Sequence, residues 1–310
     1  MARSSANLEI GFEVVRLRSG ERGRRVLVER EPYEPKARPF LKWAGGKQWL
    51  VPVVDALLPV DFSGTYLEPF LGAGSVFFAL SPGRAVLADS NEELITSYKA
   101  LRAHPGRVIT LLRSYPHSRS FFDQLRDQQP SSPYGRAARL IYLNKTAFNG
   151  LYRVSRSGRF NVPFGNYSNP TICNTRRLHM AAAALENATL ATANFSRTLC
   201  RAEHGDFAYL DPPYITGHTN NGFLKYNARL FSWADQLKLA QEVQALTAKG
   251  VRLAVSNADH PDVVTLYCGL YCYRIQRRSA IGGGLDYRGR VREVLLTNFP
   301  LFDVDIPVLQ

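Results

Sequence analysis

No apolar run in the sequence approaches the roughly 18 residues that a membrane-spanning helix needs, so no span is expected. The N-terminal Met-Ala-Arg-Ser-Ser lacks the apolar core of a secretory signal, and a cytoplasmic protein is expected. Cysteine is scarce. Cys173, Cys200, Cys268 and Cys272 are the full set, only the last two are close, and no histidine accompanies them at ligand spacing. Free thiols and no metal site are therefore expected. The histidines are scattered, with no pattern of a zinc or nucleophile site. The phosphate-loop spacing Gly-x4-Gly-Lys-Ser/Thr is absent, and only two of the three dinucleotide-fingerprint glycines occur, as Gly72 and Gly74. No repeat or low-complexity segment is evident.

Acidic residues are nearly missing from one block. Residues 102–201 hold fifteen Lys/Arg against three Asp/Glu, a balance of +12 in a chain whose total is +13. Residues 1–38 carry +3, residues 39–101 carry −2 and residues 202–310 balance. Charge concentrated in this way favours a polyanion such as nucleic acid over a role in solubility alone.

What is present centres on Phe207-Ala208-Tyr209-Leu210-Asp211-Pro212-Pro213-Tyr214. The first four residues read as a buried strand. Two prolines, which have no N–H for a sheet ladder, then stop it. Asp211 and the Pro212 carbonyl are two acceptors, able to hold the two hydrogens of a planar exocyclic amine, and Tyr214 offers a stacking ring. Such a group at the C-terminal edge of a strand lies where open α/β sheets bind ligands. A rigid surface turn is the plainer alternative for the same residues.

Upstream, Phe40-Leu41-Lys42-Trp43-Ala44-Gly45-Gly46-Lys47 reads as a glycine turn opening a helix to about Leu58. Thr65 to Phe78 reads as strand, glycine turn and helix, with Gly72 and Gly74 permitting close backbone approach. Asp89 ends a second strand, where a ribose diol is commonly gripped, and can also cap the following helix. Helices are expected at about 91–103, 106–114, 119–128, 134–146, 172–187 and 233–248. Strands are expected near 251–255, 270–277 and 290–298, with loops at 215–231 and 279–284. The arm before residue 39 alternates apolar and charged residues and suits a hairpin. Within the basic block, 144–165 interleaves bases, amides, aromatics and glycines, which suits contact with phosphates and bases; a basic β-hairpin with ordinary packing aromatics is the alternative.

Taken together these pieces resemble the Dam-like (D12 class, alpha-group) DNA adenine-N6 methyltransferases. The resemblance is carried by Phe40 to Lys47, Glu68-Pro69-Phe70-Leu71-Gly72-Ala73-Gly74-Ser75, Leu87-Ala88-Asp89-Ser90-Asn91, Phe148-Asn149-Gly150-Leu151-Tyr152-Arg153, Phe160-Asn161-Val162-Pro163-Phe164-Gly165 and Asp211 to Tyr214. They occur in the family's order over about 39–300.

The resemblance implies an α/β fold, a Rossmann-like S-adenosylmethionine-dependent methyltransferase sheet with an inserted, mainly helical DNA-recognition domain containing a β-hairpin. On that reading residues 1–38 are an arm without assigned role, 39–104 with 202–310 form the catalytic domain, and 105–201 form the recognition insert. Asp211, Pro212, Pro213 and Tyr214 are the implied catalytic residues. Trp43, Lys47, Glu68, Phe70, Gly72, Gly74, Asp89 and Asp211 are implied at the cofactor. Lys42, Phe148, Asn149, Leu151, Arg153 and Pro163 are implied at double-stranded DNA, read as GATC, with Phe148 wedging into the space left by an extruded adenine. No metal is implied. A monomer acting at the nucleoid, with a cognate restriction nuclease as a possible partner, completes the expectation. The same chemistry on another DNA site or on RNA, or a DNA binder without catalysis, are the alternatives.

Overall fold

The computed structural model describes residues 11–14, 24–27, 35–47, 50–51, 54, 56–155, 157–214, 231–278 and 290–301. Nine strands occur among them: β1 (Gly11–Val14), β2 (Arg24–Leu27), β3 (Tyr66–Glu68), β4 (Ala85–Asp89), β5 (Ala188–Thr192), β6 (Phe207–Leu210), β7 (Arg252–Ala258), β8 (Tyr271–Arg278) and β9 (Arg290–Thr297). The chain divides into two compact units, residues 34–54 with 68–194, and residues 1–33 with 55–67 and 195–310.

Among the described residues the first of these units pairs β4 and β5 in parallel and carries six α-helices. The expected break at His104-Pro105 is present. Helix α2 (Glu92–Ala103) ends where α3 (Pro105–Ser114) begins with proline in its first turn, a position where the missing N–H costs nothing. Asn91 caps α2 by accepting from Leu94 N–H, and Glu92, Glu93 and Arg102 match the helix dipole at either end. The short α1 (Ser75–Leu80) has no side-chain cap. It starts from Gly74 in the left-handed region, at φ 65°. Helices α4 (Arg119–Asp127), α5 (Pro133–Thr146) and α6 (Thr175–Ala184) follow. Helix α5 is the central one, buried along nearly its whole length and packed against α2 and α3. Phe40, Phe78 and Tyr98 form an edge-on and stacked aromatic cluster in the core of this unit.

The other unit holds a mixed sheet of seven strands in the order β2-β1-β8-β9-β7-β6-β3. Strand β6 lies between β3 and β7 and is parallel to both. This explains its unbroken apolar sequence, because such a strand is covered on both faces, and all four of its residues are buried. The antiparallel β7, β9 and β8 extend the sheet. The expected N-terminal hairpin exists as β1 and β2, and β1 also pairs with β8. Helices α7 (Phe195–Leu199) and α8 (Trp233–Ala248) belong to this unit. A capping box starts α8: Ser232 Oγ accepts from Asp235 N–H, and Asp235 accepts from Ser232 N–H.

Two expectations shift. After Gly46 the described residues 50–51, 54 and 56 follow a tighter 3₁₀ path instead of an α-helix. The basic hairpin of 144–165 reduces to two isolated antiparallel bridges, Ala147 with Phe164 and Val154 with Phe160. Between them Asn149 and Gly150 take positive φ, at 53° and 63°, which breaks any regular ladder. The loop expected at 215–231 lies outside the described residues except for Phe231, and that at 279–284 lies wholly outside them.

Candidate active site

Asp211, Pro212, Pro213 and Tyr214 leave the C-terminal end of β6 with no regular secondary structure, as two consecutive prolines dictate. Pro212 is buried, and Asp211, Pro213 and Tyr214 are half-buried. The Tyr214 hydroxyl donates to Oε2 of Glu293 at 3.0 Å. Glu293 lies on β9 and is 1% exposed. Burial, and then the negative charges of Asp211 and Glu293, push the Tyr214 phenol well above its usual 10.0. The ring is thus a neutral, tethered plate beside a carboxylate. One strand over, the Tyr209 hydroxyl and Ser256 Oγ are 2.7 Å apart, tying β6 to β7 across their side chains.

A second group of candidates lies in the unit of 34–54 and 68–194. The turn after β3 is folded onto the end of β4. Leu71 N–H donates to the Ala88 carbonyl at 2.9 Å, and Gly72 N–H donates to Oδ2 of Asp89 at 3.0 Å. Oδ1 of Asp89 accepts from Asn91 N–H at 2.9 Å. The cap of α2 is therefore Asn91, and Asp89 serves the turn in front of it. Burial raises the Asp89 carboxyl above its usual 3.8, against the lowering effect of the backbone N–H groups of Asn91, Gly72 and Ser90. Tyr98, wholly buried, donates to the Gly72 carbonyl at 3.0 Å. Its phenol is raised by burial and then by the charges of Glu68 and Asp89.

Gly72 needs to be glycine. Its φ is +47°, and a Cβ there would meet Trp43 Cδ1 at 2.9 Å. Trp43 stacks on Tyr152 with ring centroids 5.1 Å apart and planes 19° apart. Lys47 is 2% exposed and donates to the Gly45 carbonyl at 2.6 Å, so part of its role is to close its own turn. Glu68 is 2% exposed and Phe70 half-buried. Two carboxylates, Glu68 and Asp89, next to a turn that has no room for a side chain suit a ligand with positive charge and hydroxyl donors. S-adenosylmethionine carries both.

The remaining candidates lie on the surface of the same unit. Lys42, Phe148, Asn149, Arg153 and Pro163 are exposed and Leu151 is half-buried. Phe148 is 46% exposed, unusual for so large an apolar ring. Its N–H donates to the Pro163 carbonyl, which brings those two together. Arg153 donates from Nε to Asn161 Oδ1 at 2.8 Å and from Nη2 to the Asn161 carbonyl at 3.2 Å.

Asn144, fully buried on α5, organises this surface from beneath. Its Oδ1 accepts from Lys42 N–H at 2.7 Å, and its Nδ2 donates to the carbonyls of Lys42 at 2.7 Å and Gly150 at 3.0 Å. Lys42 packs so closely that a Cβ on Gly150 would run into its side-chain methylenes.

The family model of the D12 class N6 adenine-specific DNA methyltransferase matches residues 43–281. The chain belongs to that class. It is 35% identical to the type II methyltransferase M1.LlaDCHI of Lactococcus lactis subsp. cremoris, over 84% of this chain and 95% of that one. It is 34% identical to a DNA adenine methylase of Serratia marcescens, over 84% and 98%. It is 31% identical to the type II methyltransferase M.MjaIII of Methanocaldococcus jannaschii, over 85% and 100%.

Membership makes this D12 class protein an adenine-specific DNA methyltransferase and, with that chemistry, a user of S-adenosylmethionine. Among the described residues no helix is long and apolar enough to cross a membrane. Glu293, Tyr152 and Tyr98 do not stand out in the sequence. Glu293 and Tyr98 are single polar or aromatic residues in an ordinary strand and helix pattern, Tyr152 lies outside regular structure, and only the folded chain shows their partners. The one available hint was Tyr152, which lies inside the Phe148 to Arg153 motif.

Proposed function

We propose that this protein methylates N6 of adenine at GATC in duplex DNA, acting on a base turned out of the helix. The observation that carries the reading is the tethered, neutral Tyr214 directly after Asp211-Pro212-Pro213 at the end of a buried strand. S-adenosylmethionine, when bound, supplies an electrophilic sulfonium methyl group.

Asp211 and the Pro212 carbonyl accept the two N6 hydrogens and favour a pyramidal nitrogen, whose lone pair is then less delocalised into the ring. The prolines keep both acceptors fixed, so little reorganisation is needed at the moment of reaction. Tyr214 stacks on the adenine. Such stacking recovers roughly 1–3 kcal/mol per base, against the few kcal/mol that extruding a base costs. Trp43, Lys47, Glu68, Phe70, Gly72, Gly74 and Asp89 hold the cofactor, with Asp89 at the ribose hydroxyls. The exposed Phe148 fills the space left by the extruded base. Lys42 and Arg153 read guanines, and Asn149, Leu151 and Pro163 contact neighbouring bases. Arg153 presents its fork beside Asn161, and a bidentate arginine–guanine pair gives about 1–3 kcal/mol of discrimination. The helical, basic 105–201 segment acts as the recognition insert. The type II names of two relatives support pairing with a restriction nuclease at the same site.

Labelled S-adenosylmethionine and duplexes with or without GATC test this reading. Label is expected only in N6-methyladenine of the GATC duplex. Equal labelling of both would contradict the site, and no labelling of any duplex would contradict the reaction.

A further inference from the structure

One side chain in the unit of 34–54 and 68–194 touches both groups of candidate residues. The ring of Tyr152 stacks on Trp43, with centroids 5.1 Å apart and planes 19° apart. Tyr152 itself sits between Leu151 and Arg153, in the segment assigned to the bases. We propose that Tyr152 is a positioning residue that links the cofactor seat to the base-reading segment, so that S-adenosylmethionine and the target duplex each tighten the binding of the other. This inference rests on the proposed function above and deepens it, by naming a residue that acts through Trp43 and Arg153 rather than on the substrate.

On the cofactor side Trp43 has little freedom. The pyrrole edge of its indole lies so close to the Gly72 turn that a Cβ there would meet Cδ1 at 2.9 Å and Nε1 at 3.2 Å. Gly72 N–H is in turn held by Asp89. A ligand that grips this turn and Asp89 therefore sets the plane of Trp43, and the stack passes that plane on to Tyr152.

On the DNA side Tyr152 meets Phe160 edge-on, with centroids 5.9 Å apart and planes 64° apart. Phe160 bridges to Val154 and precedes Asn161. Asn161 N–H donates to the Arg153 carbonyl, and its Oδ1 accepts from Arg153 Nε at 2.8 Å. The Tyr152 ring thus braces both limbs of the segment that presents Arg153.

Two features set this stack apart from ordinary core packing. Trp43 and Tyr152 are only half-buried, whereas Phe160 is 4% exposed. The frame around the stack is also pinned. Asn144 donates to the carbonyls of Lys42 and Gly150, and so ties together the backbones that carry the two rings. The Tyr152 hydroxyl donates to Oε2 of Glu93 at 3.1 Å, and Oε1 of Glu93 meets the buried Arg139 at 2.7 Å. Glu93 lies in the first turn of α2, the helix that follows Asp89. With both backbones and the hydroxyl anchored, a displacement of Trp43 is transmitted to the Tyr152 ring instead of being absorbed. An aromatic pair of this kind contributes roughly three- to tenfold to an equilibrium constant beyond its buried area. That sets the size of the coupling, and linkage requires it to be equal in both directions.

The test measures the Kd of a GATC duplex with and without saturating S-adenosylhomocysteine, and the Kd of S-adenosylhomocysteine with and without the duplex. Both are read for the full chain, for Tyr152→Phe and for Tyr152→Leu. In the parent each ligand should tighten the other by the same factor, roughly three- to tenfold. Tyr152→Leu, which lacks the stack, should abolish both factors while the Kd of each ligand alone stays within a few-fold of the parent. Tyr152→Phe keeps the ring and should retain the coupling, although it loses the bond to Glu93. Melting temperature separates a packing role: a Leu variant that melts lower and binds both ligands more weakly, with the factors intact, would overturn the proposal. So would a parent without mutual tightening. Loss of the factors in Tyr152→Phe to the same extent as in Tyr152→Leu would put the link in the hydroxyl and overturn the stack. Absence of methyl transfer or of a GATC preference in the parent, with the coupling and its loss in Tyr152→Leu still present, would contradict the proposed function and leave this inference standing.

Discussion

Tyr214 and Glu293 are joined by a 3.0 Å hydrogen bond in which the phenol donates to a carboxylate that is 1% exposed. This bond joins the end of β6 to β9, and it fixes the ring that follows the two prolines. Leaving a buried donor unsatisfied costs about 1–3 kcal/mol. Glu293→Ala should therefore slow methyl transfer by about tenfold or more while duplex Kd changes little. Single-turnover rates and binding isotherms check this, and an unchanged rate would separate Glu293 from Tyr214 function.

The same geometry sets a pH behaviour. The Tyr214 phenol is raised well above 10.0 by burial and by Asp211 and Glu293. A raised folded-state value means that the stability linked to this group is complete below the unfolded tyrosine value near 10 and is lost as pH rises through the higher folded one. Methyl transfer should show no loss from tyrosine ionisation up to pH 10. Tyr214→Phe should flatten the fall in stability at higher pH, read by denaturant titration.

Asp89 ties the turn at Gly72 to Asn91 by two backbone N–H bonds. Asp89→Ala leaves both donors without this acceptor, and should cost about 1–3 kcal/mol of stability together with most of the affinity for S-adenosylhomocysteine. Because burial raises its carboxyl above 3.8, acidification should weaken cofactor binding at a higher pH than an ordinary aspartate would give. Calorimetric titration across the acid range measures this.

Gly72→Ala places a Cβ at a φ of +47° and 2.9 Å from the Trp43 ring. Left-handed backbone costs a non-glycine residue roughly 1–2 kcal/mol, and the contact adds to that. Lower stability and weaker S-adenosylhomocysteine binding are expected, with duplex binding retained. Tryptophan fluorescence follows the displaced ring.

Much of this was legible in the sequence because local chemistry decided it. Pro105 divides α2 from α3. The apolar run Phe207–Leu210 is a strand with a parallel neighbour on each side, and the two prolines after it end the ladder. Glu293 was not legible: within Arg290–Thr297 it reads as one charge among several, and only the partner on β6's continuation explains its burial. Asn144 looked like part of a DNA-contacting surface, whereas it is a buried clamp on Lys42 and Gly150. The net charge of the basic block likewise suggests one polyanion surface. Arg139 and Arg136 are in fact neutralised by Glu93 and Glu92, acids from outside that block, so net charge by segment overstated what faces a ligand.

The most direct test of the central claim is single-turnover methylation of a GATC duplex by Asp211→Ala, alongside its Kd values for duplex and for S-adenosylhomocysteine. Transfer should fall by at least about 10²-fold, the scale seen when one preorganised polar group is removed, with duplex Kd within a few-fold of the parent. A variant that methylates at near the parent rate would contradict the account.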